Sequence, residues 1–152
     1  MTIMIRRLTD WEAYDWTDMI AESMSEGYRH VGRLALDYEA GANRFDRAGE
    51  ALFAAEIDGE LAGAGGLSRI ERAGLPAIGR VRRVYVMPRF RRFGVGSALM
   101  REVVALASLH YEELVLRTDN PAADALYASF GFRKAKDRED ATHVLRLEGN
   151  KP

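Results

Sequence analysis

Read from the N-terminus, the apolar-rich run from Ile3 to Leu8 predicts a first strand. Thr9 or Asp10 then caps a helix with Glu12 in its first turn and Trp11, Tyr14, Met19 and Ile20 on its apolar side. Ser25-Glu26-Gly27 makes a turn, and a second helix is predicted over about Tyr28 to Glu39, ending near Gly41. Ala51 to Ile57 is a short apolar strand. Asp58-Gly59 is the strongest two-residue hairpin signal in the chain, so Leu61 to Ile70 should return antiparallel. A second turn over Glu71 to Pro76 leads into a strand from Ile78 to Val86, placing three antiparallel strands side by side.

Beyond Pro88 the period changes. Val95, Leu99, Val103, Leu106 and Ala107 form a helical stripe and predict a helix over Gly94 to Ala107. Glu113 to Arg117 reads as a short buried strand, and strand, helix, strand implies a parallel pair with a right-handed crossover. Asn120 and Pro121, a cap followed by proline, open another helix that ends at Gly131. Phe132 to Lys134 and Thr142 to Leu147 form a closing hairpin. The pattern is α/β: a mixed, mostly antiparallel central sheet flanked by helices, with one parallel step in its middle. Two parallel strand ends diverging around a helix N-terminus leave a crevice, and function is expected there.

Composition narrows the chemistry. The 152 residues, 47% hydrophobic and 30% charged, suit a single domain over 1–152 that buries roughly 70% of the surface its unfolded form exposes. A net charge of -1 supplies no global field for nucleic acid or an anionic membrane. The absence of cysteine excludes disulfides, thiolate metal sites and an acyl-cysteine intermediate, so any acyl transfer must be direct. His30, His110 and His143 lie far apart without ligand spacing, and no metal is assigned. Charges follow a very short apolar N-terminal stretch, the reverse of a secretory signal, and no apolar run approaches the roughly 18 residues of a membrane span; a cytoplasmic protein is expected.

The chemistry concentrates between Arg80 and Arg101. Gly94 and Gly96 let backbone N–H groups approach an anion, and the following helix adds its positive end. A P-loop would need a lysine in this turn, and none stands there. A dinucleotide fingerprint fails because seven residues separate Val86 from Gly94 and position 99 is leucine; only Asp119, at the end of the next strand, speaks for it. The segment Arg91-Arg92-Phe93-Gly94-Val95-Gly96, with Val84-Tyr85-Val86 and Pro88 upstream, resembles motif A of the GNAT superfamily of N-acetyltransferases. Asn120 to Tyr127, followed by Gly131-Phe132, is similar to the family's motif B.

The resemblance implies an acetyltransferase fold with acetyl-CoA as cosubstrate. Amides from Arg91 to Ser97, through Arg92, Gly94, Val95 and Gly96, would hold the coenzyme's diphosphate, with the side chains of Arg89, Arg91 and Arg92 near its phosphates. Main-chain groups of Val84, Tyr85 and Val86 would pair with the pantetheine arm like an added strand. Asn120 would contact pantetheine or reach toward the thioester, and Tyr127 would act as general acid toward the departing thiolate. The acceptor is expected to be a primary amine of a small molecule or peptide. By strand alternation at least one of Arg80, Arg82 and Arg83 faces it, which suggests a carboxylate on the acceptor.

Departures from the family pattern matter too. Where members commonly carry a glutamate base, this chain aligns Arg80 and Val115. Glu26 and Glu71 are weak substitutes beside proton relay through water, and the base is left unassigned. The missing glutamates keep open a second reading, a non-catalytic coenzyme A-sensing or partner-binding module. An RNA-binding reading of the arginines is disfavoured by near-neutral charge and sparse aromatics. Trp16, Tyr28 and Tyr38 either line the acceptor cleft or pack in the core. A homodimer through the last strands is neither required nor forbidden.

Overall fold

The computed structural model describes residues 2–70 and 77–147. Its strands are β1 (Ile3–Arg7), β2 (Ala51–Ile57), β3 (Glu60–Ile70), β4 (Ile78–Val86), β5 (Glu113–Leu116), β6 (Arg133–Lys134) and β7 (His143–Arg146). They form a seven-stranded sheet in the order β1-β2-β3-β4-β5-β7-β6, antiparallel throughout except for the β4–β5 pair. The helices are α1 (Thr17–Ser25), α2 (His30–Glu39), α3 (Val95–His110) and α4 (Asp124–Ser129). The predicted turn over residues 71–76, with Glu71, lies outside the described residues.

The turn chemistry read from sequence acts as expected at the β2–β3 hairpin. Asp58 (φ 49°) and Gly59 (φ 87°) both take left-handed conformations, which gives the tight connection the right twist. The first predicted helix is instead divided. Asp10 does cap, taking the Glu12 N–H at 3.0 Å, but it caps only a 3₁₀ turn over Trp11–Ala13. The Trp16 indole then stacks on Trp11 at 4.2 Å and donates to the Trp11 carbonyl, and Asp15 takes the Thr17 N–H to start α1 afresh. Stacking two indoles therefore overrides a continuous helical stripe. Helix α3 runs one turn further than its apolar stripe, to His110, where Tyr111 turns inward to donate to the Gly49 carbonyl at 2.6 Å. The helix predicted from Asn120 begins as a 3₁₀ turn over Pro121–Ala123 and is α-helical only from Asp124.

Alternation along β3 sets the layers. Gly63 and Gly65 face α3, a Cβ on Gly63 falling 3.4 Å from Leu99, whereas Gly66 faces Phe45, which clusters with Leu34 of α2 and Leu52 of β2. Helices α3 and α2 thus cover opposite faces of the sheet centre. Leu99, Met100, Val103 and Ala107 of α3 are fully buried, and the helix packs across β1 to β4. This packing holds the N-terminus of α3 beside the end of β4.

Candidate active site

The site begins with a break in pairing. Strands β4 and β5 pair only at Ile78–Glu113, Gly79–Leu114 and Arg80–Val115, and then part. On the other edge of β4, Ala64 pairs with Tyr85 but Gly66 with Arg82, so Arg83 and Val84 together oppose Gly65. This is a β-bulge, and Arg83 takes φ 58° in it, a strained conformation for a residue with a Cβ. The bulge bends β4 away from β5. Between the strands opens a cavity of about 610 Å³ walled by Arg80 to Val84, the segment after Leu116, and Tyr28, His30 and Tyr127.

Beyond the cavity, where β4 ends and α3 begins, the main chain suits an anion. Met87 donates its N–H to the Ala62 carbonyl of β3, so by alternation the main-chain groups of Val86 point toward the parted edge. Val84, Tyr85 and Val86, the residues expected to pair with an extended ligand, lie on that last stretch of β4. Arg92 (φ 70°) and Gly94 (φ 88°) are both left-handed, and the first helical bond of α3 runs from the Ala98 N–H to the Gly94 carbonyl at 3.0 Å. The N–H groups of Val95, Gly96 and Ser97 consequently have no helical acceptor behind them. Left-handed residues before a helix start aim successive amides into one concavity, which fits a diphosphate.

The Arg91 side chain is committed elsewhere. Its Nη1 and Nη2 each donate to Glu26 at 2.7 Å, its Nε donates to the Val86 carbonyl at 3.0 Å, and its guanidinium lies over the Tyr85 ring. The Tyr85 hydroxyl donates to the same Glu26 carboxylate. Arg91 holds the Glu26 carboxyl below the usual carboxylate range. A carboxylate so stabilised is a poor proton acceptor, which removes Glu26 as a base on physical grounds. Arg89 faces Glu60 at 3.6 Å, while Arg92 is exposed beside the bend.

Asn120 and Tyr127 enter from the other wall. The Asn120 Oδ1 takes the Ala122 N–H at 3.0 Å, and its Nδ2 donates to the Tyr28 hydroxyl at 3.4 Å. Tyr127 is 7% exposed, its ring edge-on to Phe132 and tilted against His143. Burial raises its pKa, so the phenol keeps its proton through the neutral range. His143 anchors α4 from below, its Nε2 3.0 Å from Asp124.

Of the arginines, Arg82 and Arg83 line the cavity, and Arg83 meets Asp37 at 3.6 Å. Burial and the neighbouring Arg82 charge lower the Arg83 pKa, the signature of cations held close together. Arg80 donates to the Asp140 carbonyl at 2.8 Å, and Val115 is fully buried, so neither position aligned with a family glutamate offers a base. Tyr28 lines the cavity. Trp16 is core, and Tyr38 stacks on Trp11 at 4.8 Å. The sequence reading missed His30 as a wall residue, since only the approach of α2 to β4 puts it there.

Comparison with known proteins agrees with this architecture. The pattern of the Acetyltransferase (GNAT) family matches residues 9–132. An N-alpha-acetyltransferase from Sulfurisphaera tokodaii is 32% identical over 89% of this chain and 86% of its own length. N-alpha-acetyltransferase RimI from Mycobacterium tuberculosis is 39% identical over 80 residues; the match spans half the length of that relative and 53% of this chain. A solved structure from Exiguobacterium sp. 255-15 superposes with a TM-score of 0.85 at 33% identity, covering 96% of this chain and 94% of the other. A GNAT family acetyltransferase from Brucella melitensis, solved in complex with acetyl-CoA, shares the fold with a TM-score of 0.69 at 21% identity, over 99% of this chain and 92% of its own.

Proposed function

Because the chain belongs to the Acetyltransferase (GNAT) family, we propose that it is an acetyl-CoA-dependent N-acetyltransferase passing an acetyl group directly to a primary amine. The observation that carries this reading is a set of three features: the stretch of β4 beyond Arg80 that β5 leaves, the amides at the start of α3 with no helical acceptor, and Tyr127 in the cavity wall. Acetyl-CoA supplies an activated acetyl thioester. Amides of Val95, Gly96 and Ser97, with those of the bend after Arg91, hold the diphosphate, while Val84 to Val86 align the pantetheine arm and Asn120 bounds it; the Arg91 N–H, expected to join them, is taken by the Pro88 carbonyl at 3.2 Å. Tyr127 holds a proton at its hydroxyl for the departing sulfur. The chain has no cysteine, so the amine nitrogen attacks the thioester within a ternary complex.

The two relatives named N-alpha-acetyltransferase support an α-amino group as the reacting nitrogen. Arg82 and Arg83 in the cavity wall support an acceptor that carries a carboxylate close to that nitrogen. Calorimetry with coenzyme A, followed by acetyl transfer to a panel of amines, tests the whole reading. The panel includes peptides with a free α-amine and an acidic or amidated second side chain. Coenzyme binding with turnover preferring the acidic peptide is expected; no binding of coenzyme A defeats the proposal. The absence of a carboxylate at Arg80 and Val115 favours one other reading, a coenzyme-sensing or partner-binding module. Tight coenzyme binding with no thiol release for any amine would select it.

A further inference from the structure

His30 is the first residue of α2, and its ring lines both the main cavity and a shallower recess beside Arg29, Arg33 and Arg83. The ring stands 5.8 Å from that of Tyr28 and 6.0 Å from that of Tyr85. Its Nδ1 is buried without a hydrogen-bond partner. His143 provides the contrast: its two ring nitrogens meet Thr142 and Asp124, as a structural histidine's should. Burial closes Nδ1 to solvent, so Nε2, which no hydrogen bond holds among the described residues, is the nitrogen this ring can offer to the cavity.

We propose that His30 is the catalytic base of this enzyme, taking a proton from the acceptor's ammonium group. The inference rests on the acetyl-transfer reading above. The neutral amine then attacks the acetyl carbon, the C–N bond forms and the C–S bond breaks. The nitrogen sheds a second proton, which replaces the one Tyr127 gives to the thiolate. The net single proton leaves through His30.

The surroundings keep His30 in the required form. On its own element stand Arg29, Arg33 and Asp37; β4 contributes Arg82, Arg83 and Tyr85; the preceding turn contributes Tyr28 and the Arg91-bound Glu26; the far wall contributes Asp119, Asn120 and Tyr127. Burial first, and then the Arg83 charge, lower the His30 pKa from 6.5, and the start of a helix acts in the same sense. The same cationic field eases proton loss from the amine itself.

The test is kcat/KM against pH between 5 and 9.5, with an alanyl peptide whose second residue is acidic, for wild type and His30→Gln. Calorimetry with coenzyme A and thermal unfolding of both proteins accompany it. Wild-type kcat/KM should rise to a break below pH 6.5 and then level. In His30→Gln the rate at pH 7 should fall by roughly a hundredfold. Its break should move to the peptide α-amine's own pKa of about 8, because only amine already neutral can react. Coenzyme affinity should be unchanged. A variant with wild-type rate, or one slowed equally at every pH, overturns the proposal. NMR titration of the His30 ring in the wild-type protein checks it independently of any variant, and a ring pKa that does not match the kinetic break also overturns it. If neither protein binds coenzyme A, the acetyl-transfer reading fails first and takes this one with it.

Discussion

Arg91 and Glu26, 65 residues apart in the chain, close a two-point ion pair whose N–H···O distances are both 2.7 Å. The pair ties the turn between α1 and α2 to the end of β4, where the chain bends toward α3. In an arginine-rich bend, it also determines which arginine is unavailable to a ligand.

Loss of this tie should be modest in energy. The Arg91 and Glu26 side chains are 40% and 26% exposed, so Glu26→Gln is expected to lower stability by about 1 kcal/mol in urea unfolding at pH 7. The sign with pH follows from the depressed Glu26 carboxyl. Its contribution is full above the unfolded value of 4.5 and is lost as pH falls through the lower folded value. The gap between wild type and variant should therefore narrow below pH 4.5.

Tyr127→Phe keeps the ring that packs against Phe132 and removes only the hydroxyl. We expect kcat to drop by roughly a hundredfold while coenzyme affinity stays within about twofold. A general acid must be protonated, and burial raises this phenol's pKa, so wild-type activity should persist to pH 10 and fall only above it. Steady-state rates over an alkaline series, with calorimetry on both proteins, check this.

Gly94→Ala tests the amide cradle. Gly94 sits at φ 88° with nothing within 4 Å of an added Cβ, so the penalty is conformational, roughly 1–2 kcal/mol, and not a clash. Gly59, at φ 87° in the β2–β3 hairpin and equally uncrowded, is the matched control. Both alanine variants should lose similar stability, but only Gly94→Ala should weaken coenzyme A binding, by about tenfold, in calorimetry.

Glu50 is 1% exposed and accepts hydrogen bonds from the Arg47 guanidinium at 3.1 and 3.2 Å and from the Arg69 N–H at 3.0 Å. Burial alone would raise its pKa, yet these donors hold it below 4.5. Glu50→Gln turns an amide N–H₂ toward those donors and should destabilise the fold by about 3 kcal/mol at pH 7, measured by urea unfolding. Because the native carboxylate loses its advantage on protonation, that difference should shrink as pH drops below 4.5.

The amino-acid sequence by itself determined the parts whose physics is local. Asp58-Gly59 accepts left-handed φ at little cost, Pro88 cannot extend a strand, and the stripe from Val95 to Ala107 can bury itself only as a helix. Asn120 can cap the turn that carries Tyr127 into the crevice. The α/β class, the single parallel step and the family were legible from these signals. Tertiary structure alone decided the rest. No local preference puts an arginine at φ 58°; Arg83 is held there because β4 must pair with β3 while leaving β5. The division of the first helix needed Trp16 to find Trp11, the Arg91–Glu26 tie needed the α1–α2 turn to reach β4, and His30 became a wall of the cavity when α2 docked there. Each depends on the joint packing of segments distant in the chain, whose energy is absent from any short window of sequence.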